Sequence, residues 1–439
     1  MRILIIGQTT LHWGRMEFGN IGNYYIIEPF IRELHKTFEN SEIKTTLQMS
    51  KRFCKDEKVE SLPIDLYYGF NKSNNLELAK YELTLVEDYL KNGKFQEITP
   101  YIKEVLESDI VIDFSGDIWG DNANFLGKDR FEVGLYKDLI AQKLKPTYMI
   151  AGSPGPFKDI KTKDLAKKVY EGFDLVTNRE PISSDIIKRE GFNTNNTSDL
   201  ACPAFLFEPI NIEKAKEKEE VKNIFDKSKL NIGFVICGWN FEQGPFDKWP
   251  RDDKDYITFA KSIEHIANKY DVNIILMSHS NGFPIPPKKF KLQHGRDYPI
   301  IKQLEKILKD RGTAKNIQTI DGVYDAWTTK GIIGNLDLMI SGRVHAAVAA
   351  LSQKIPTVII DYGHEPKAHK LKGFAKVCEM ENYVADPSKE NDLIQKIEKL
   401  LDNKDKINQH LNFKIEEVKQ MAKNNFYEIK EHLKRIGVL

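Results

Sequence analysis

The chain has 439 residues, more than one ordinary hydrophobic core organises, so two domains are expected. With 41% hydrophobic and 29% charged residues it has the composition of a folded protein rather than a disordered one. Lys and Arg (65) balance Asp and Glu (64), leaving no field to attract nucleic acid; no apolar run approaches a membrane span, and the four cysteines carry neither metal-ligand nor disulfide-framework spacing. These features point to a cytoplasmic protein.

Residues 1–7 form an apolar run too short for a signal peptide, and they read as a buried first strand. A loop over residues 8–23 follows, with His12, Trp13, Arg15 and Glu17, and closes on Gly19-Asn20-Ile21-Gly22-Asn23. Residues 24–38 then show helical periodicity through Ile26, Ile27, Phe30, Ile31 and Leu34. Strand, glycine loop and helix in that order make a ligand-facing loop in a doubly wound domain, although the glycine spacing is not that of a dinucleotide site. Residues 51–101 suit polar helices and loops over one face. Strands are expected at 109–113, 148–151 and 174–178. The first runs into Phe114-Ser-Gly-Asp117, the second into Gly152-Ser-Pro-Gly-Pro156 and the third into Arg179-Glu180. Asp117 either orients hydroxyls of a ligand or caps the next helix. Arg179 at its strand end either holds a carboxylate or phosphate or pairs with Glu180.

Residues 213–222 (EKAKEKEEVK) read as a solvated, charged helical connector. Strands restart at 230–237, followed by a glycine-rich aromatic loop to Pro250. Asp252 and Asp253 fit a helix cap and surface cluster better than a metal pair. A helix at 257–270 and a strand at 272–277 lead to Ser278-His279-Ser280-Asn281, where His279 either touches a ligand or bonds within its loop. A helix at 300–308 and a short strand at 317–319 come next. Then residues 336–361 form one βαβ unit: an apolar strand, a Ser-Gly break, an Ala-rich helix, a Pro turn and a second strand. Arg343 and His345 sit where its first strand hands over to its helix, with Lys367 just beyond the second strand. Helix N-termini favour anions, and ligands bind outside the carboxyl ends of such strands. Arg343 suits a phosphate or carboxylate through its two-pronged fork, and His345 can trade a proton near neutral pH. An isolated Arg-x-His triplet is also compatible with a capped, solvated turn. Helical patterns at 391–401 and 411–436 close the chain.

Ser341-Gly342-Arg343-Val344-His345-Ala346-Ala347, then Ile355-Pro356, and Tyr362 with Lys367 resemble the C-terminal signature of the polysaccharide pyruvyl transferase family, with Val344 where Leu is commoner. Gly19 to Asn23 resembles the N-terminal motif, whose usual last residue is Asp. Gly116, the turn from Gly152 to Pro156, and Arg179-Glu180 with the following serines and Gly191 also match. The resemblance implies an α/β, GT-B-like fold of two Rossmann-like lobes around a cleft. The lobes are 1–209 and 230–439, joined by a connector at 210–229, and the last helix crosses back to the first lobe. It implies a transferase forming a pyruvate ketal on a sugar of a surface glycan or its precursor. Phosphoenolpyruvate is the co-substrate, with no metal or other cofactor, and the acceptor is nucleotide-, lipid- or polymer-linked. Arg343 and His345 would be catalytic. Arg343, Lys367, Arg179, His279 and Tyr362 would bind the donor, and Gly19, Asn20, Gly22, Asn23 and Asp117 the acceptor. Such an enzyme would work in the cytoplasm, peripheral to the membrane where glycans are assembled. Two alternatives fit the same frame: a glycosyltransferase using a nucleotide sugar, with Arg343 and Lys367 on its diphosphate, and a non-catalytic carbohydrate-binding relative.

Overall fold

A computed structural model describes residues 1–8, 21–241, 249–280, 296–313, 316–363 and 368–439. The apolar runs become strands of two parallel sheets. The first contains β1 (Arg2–Ile6), β2 (Glu42–Thr45), β3 (Val59–Ser61), β4 (Ile110–Asp113), β5 (Thr147–Gly152), β6 (Leu175–Asn178) and β7 (Thr197–Asp199), in the order β3-β2-β1-β4-β5-β6-β7. The second contains β8 (Leu230–Val235), β9 (Val272–Leu276), β10 (Ile317–Thr319), β11 (Leu338–Ser341), β12 (Thr357–Ile360) and β13 (Val384–Ala385), in the order β10-β9-β8-β11-β12-β13. The central strands are buried on both faces, which is why they read as unbroken apolar runs rather than as alternation. Strand order reverses between β1 and β4, and again between β8 and β11, so each lobe has a crevice at that switch point. The turns that leave β4 and β11 carry Asp117 and Arg343.

Three features depart from the sequence reading. The strands β2, β3 and β7 are three or four residues long and polar (EIKT, VES, TSD), too short to show a period. The first helix starts at Ile21 and runs to Thr37, so Gly22 and Asn23 lie in its first turn and not in a loop. The charged connector is docked rather than free. Its two short helices, Ile212–Ala215 and Glu219–Ile224, bury Ala215, Val221 and Ile224, and Glu220 accepts the Gly322 N–H at 3.1 Å.

The last helix, Lys404–Arg435, crosses back to the first lobe. Ile407, Leu411, Ile415, Val418, Ala422, Ile429 and Leu433 make a buried stripe at helical spacing. Each such side chain of Val, Leu or Ile size contributes roughly 1.5–3 kcal/mol when fully buried. Polar contacts fix the register. Asn425 accepts from the Thr177 hydroxyl (2.6 Å) and donates to the Ala201 carbonyl (2.9 Å), and Glu428 accepts from Ser198 (2.8 Å). The two lobes are thereby tied at the end of the chain as well as at the connector. Among the described residues no helix is long and apolar enough to cross a membrane.

Candidate active site

β11 ends at Ser341, whose hydroxyl accepts the Arg343 N–H (3.1 Å) and donates to the Arg343 carbonyl (2.9 Å), closing a tight turn into the Val344–Leu351 helix. Gly342 lies against the Asn240 side chain, so a Cβ there would collide with it. The Arg343 guanidinium is held side-on by Asp297. Nε donates to both carboxylate oxygens (3.0 and 3.1 Å), and Nη2 adds a further bond. Asp297 is fully buried and also accepts the backbone N–H groups of His279 (3.1 Å) and Ser280 (3.0 Å). Although burial disfavours the charge, Asp297 leads the interactions that raise the Arg343 pKa. The side-on fork that the sequence suggested for a ligand is thus occupied by the protein. The bonds to Asp297 engage Nε and Nη2 and leave Nη1 outside the clamp.

His345 stands in the first turn of that helix, partly exposed, between two guanidinium groups. Burial, then Arg179, then Arg343 push its pKa down to about 3 against the opposing pull of Asp117. The free protein therefore holds a neutral imidazole at this position, not an imidazolium. Its Nε2 lies 4.0 Å from the Cys202 thiol. Gly22 of the first lobe abuts the other side: a Cβ on it would sit 2.7 Å from both Cβ and Nδ1 of His345. Glycine is required there for the first helix to reach the second lobe.

Arg179 follows β6. Its backbone N–H donates to Gly152 (2.9 Å) and its Nε to the Ser153 hydroxyl (2.8 Å). Glu180 does not pair with it. That carboxylate caps the Pro181–Arg189 helix, accepting the N–H groups of Ile182 (2.8 Å) and Ser183 (3.1 Å). The Arg179 guanidinium lies 5.5 Å from the centre of the Phe374 ring, and the His345 ring is 6.1 Å from the same ring. Phe374 belongs to the Ala368–Val377 helix, and one turn earlier that helix presents Lys370, 2% exposed. Lys370 donates to the Asp117 carbonyl (2.8 Å) and lies 3.6 Å from its carboxylate. Asp117 is therefore neither a helix cap nor an isolated acid. The preceding Gly116, at φ +60°, makes the turn that delivers it. Among the described residues, the cations Arg179, Arg343 and Lys370 and the carboxylates Asp117 and Asp297 gather around a neutral histidine.

The remaining expected residues distribute unevenly. Tyr362, after β12, is buried against Trp239 at 6.1 Å between ring centres and lies in the electrostatic reach of Arg343. His279 is 3% exposed, with its ring 5.4 Å from Tyr25, and burial pushes its pKa well down, with His345 and Arg343 adding to the effect. It supports Asp297 from behind through its backbone. Gly22 packs against His345 through the first helix and Asp117 lies in its electrostatic reach, so residues assigned to the acceptor stand beside those assigned to the donor, while Asn23 lies in the first turn of that helix. Gly19, Asn20 and Lys367 lie outside the described residues. Asp297, Lys370, Cys202 and Phe374 had no local signal in the sequence. Among the described residues no group of three His, Cys, Asp or Glu side chains is arranged to hold a metal ion.

Comparisons with known proteins bear on this arrangement. The family model for polysaccharide pyruvyl transferases matches residues 20–364. The amylovoran biosynthesis protein AmsJ of Erwinia amylovora is 23% identical over 428 residues, 94% of each chain. A glycosyltransferase from Rickettsia africae superposes with a TM-score of 0.57 at 11% identity, over 99% of this chain and 98% of that one. HepE of Anabaena, solved in complex with UDP, gives 0.57 at 13% identity, over 99% and 100%. At such identities these structures speak to the two-lobed fold alone.

Proposed function

The chain belongs to the polysaccharide pyruvyl transferase family, a family of polysaccharide-building enzymes, and from that premise we propose that it forms a pyruvate ketal on a sugar, with phosphoenolpyruvate as donor. The observation that carries this reading is the convergence of Arg179 from one lobe with Arg343 and His345 from the other. Phosphoenolpyruvate has a phosphate and a carboxylate, and two guanidinium groups on opposite sides suit two anionic ends. Arg343 takes one, Arg179 the other, and Lys370, on a second-lobe helix that meets the first lobe, adds charge.

The neutral state of His345 fits this sequence of events. Two guanidinium groups suppress its protonation in the free protein; a bound trianion offsets them and lets the ring take up a proton. His345 then gives that proton to the enol methylene carbon, and a sugar hydroxyl adds to the adjacent carbon. A second hydroxyl of the same sugar displaces phosphate and closes the ketal. Of the two hydroxyl protons released, one balances the proton added at carbon and one leaves with hydrogen phosphate. The cations stabilise the departing phosphate.

Thermal unfolding tests the donor without knowledge of the acceptor. A ligand that binds only the native state stabilises it by about 2.7 kcal/mol at 100 times its Kd. Phosphoenolpyruvate should raise the melting temperature, inorganic phosphate should raise it less, and both shifts should vanish in Arg179→Ala. Stabilisation by UDP that Arg343→Ala removes, together with no response to phosphoenolpyruvate, would favour a nucleotide-sugar glycosyltransferase.

A further inference from the structure

A second binding feature lies beside this centre in the second lobe. A cavity of about 590 Å³ opens at the carboxyl ends of β8, β12 and β13, within the size range of ligand sites. Asn240 and Tyr362 form its inner wall. Asn240 is the side chain against which Gly342 packs, so the inner end of the cavity is one residue from Arg343. Its outer end continues into a second cavity of about 230 Å³. Thr258 and Ser388 line both, and the second runs between the helices Ile257–Lys269 and Asp392–Asp402. The two make one groove leading away from the reactive centre.

The chemistry of the walls selects among ligands. Among the described residues the lining cations are Arg251, Lys254 and Lys261, and the lining carboxylates are Asp252, Asp255, Asp386 and Glu390, a net charge of −1. Lys254 pairs with Asp252 at 3.3 Å, and the Arg251 guanidinium lies 4.3 Å over the Phe241 ring. A diphosphate would enter this groove against an unfavourable charge balance. A neutral polyhydroxylated chain would not: carboxylates and hydroxyls such as Asp255, Thr258 and Ser388 accept or donate to sugar hydroxyls. Trp249, the residue before the lining Pro250, is 55% exposed, a large apolar ring with a polar tip left in solvent beside the groove.

We propose that this groove is a saccharide subsite, holding sugar units of the acceptor chain beyond the unit that receives the pyruvyl group. This rests on the transferase reading above and adds that the acceptor is an oligosaccharide or longer. Ligand length makes it testable. The probes are length-sorted neutral fragments released by mild acid from the surface glycan of the producing cells, with their affinities measured by calorimetry. Thr258→Trp fills the junction between the two cavities, and Trp249→Ala removes the exposed ring while touching nothing in the core. Fragments of several units should bind each variant about tenfold more weakly, the equivalent of roughly 1.4 kcal/mol, and single sugars should be unaffected. Both variants should keep the phosphoenolpyruvate-induced rise in melting temperature, which reads the reactive centre separately. Equal binding of long fragments by the wild type and both variants would overturn the proposal, as would displacement of those fragments by UDP. Failure of any pyruvyl transfer would count against the reaction, while length-dependent binding would still report on the groove.

Discussion

Arg179 and Arg343 occupy equivalent places, each just past the carboxyl end of a parallel strand and one in each lobe, but they are held in opposite ways. Arg343 is clamped along Nε and Nη2 by a fully buried carboxylate that two backbone N–H groups also secure. Arg179 bonds neutral groups, its Nε donating to the Ser153 hydroxyl and its side chain also meeting the Cys202 thiol, and its guanidinium rests over Phe374. One is a fixed charge whose position the fold dictates; the other is clasped by no carboxylate among the described residues. A centre built this way has a carboxylate-clamped cation in the second lobe and, in the first, a cation whose bonds among the described residues are to neutral groups. His345, between them, registers both charges through its depressed pKa.

The largest expected effect is at the residue the two arginines share. His345→Ala should lower turnover with phosphoenolpyruvate by roughly 10²–10⁴-fold, the usual worth of a positioned proton donor. Near-normal turnover would make His345 a packing residue against Gly22 and Cys202. Next come the partners of the arginines. Asp297→Ala leaves a buried guanidinium uncompensated and should cost about 3–5 kcal/mol in denaturant unfolding. Ser153→Ala, at Arg179, should cost only about 0.5–1.5 kcal/mol, the net value of an ordinary hydrogen bond. Similar losses in both would erase the contrast between clamped and lightly held.

Much of this centre was legible in the sequence, and the reason is local. Arg343 and His345 announce themselves because an apolar strand, a Ser-Gly break and an Ala-rich helix follow one another within a few residues, and strand-to-helix turns at a switch point bind ligands. Arg179 is visible because it too directly follows an apolar strand, at its carboxyl end, although β6 is not at the switch point. Asp297 is not, because its partner lies 46 residues away and only tertiary packing joins them. Lys370 escapes because its role depends on which face of a helix meets the other lobe, and Asp117, its partner, is 253 residues distant. The sheets were read correctly where strands are apolar and buried. The short polar strands β2, β3 and β7 and the two-residue β13 were not, since so few residues cannot display a period. The crossing of the last helix was expected from the resemblance, and its buried stripe supplies the physical cause.

Arg343→Lys separates position from charge. A point charge on a flexible stem cannot reproduce the clamped fork, so the variant should lose most of the phosphoenolpyruvate stabilisation, about 2.7 kcal/mol at 100 times Kd in the wild type. Arg179→Lys should keep more of it, because among the described residues Arg179 is bonded by neutral groups and not by a carboxylate clasp. Equal losses would show that both sites act as forks. The smallest effect is a proton. With the His345 pKa at about 3 in the free protein and raised by a bound anion, donor binding near neutral pH should take up protons, and affinity should weaken as pH rises through the value in the complex. Calorimetry in buffers of different ionisation enthalpy measures this uptake. It should be absent in His345→Gln; its persistence there would assign the proton to another group.

The most direct test of the central claim is mass spectrometry of acceptor glycans incubated with the protein and phosphoenolpyruvate. Each acceptor should gain one pyruvyl ketal with an equal release of inorganic phosphate, and His345→Ala should lose both. Transfer of a sugar from a nucleotide donor onto the same glycans, with phosphoenolpyruvate left unconsumed, would contradict it.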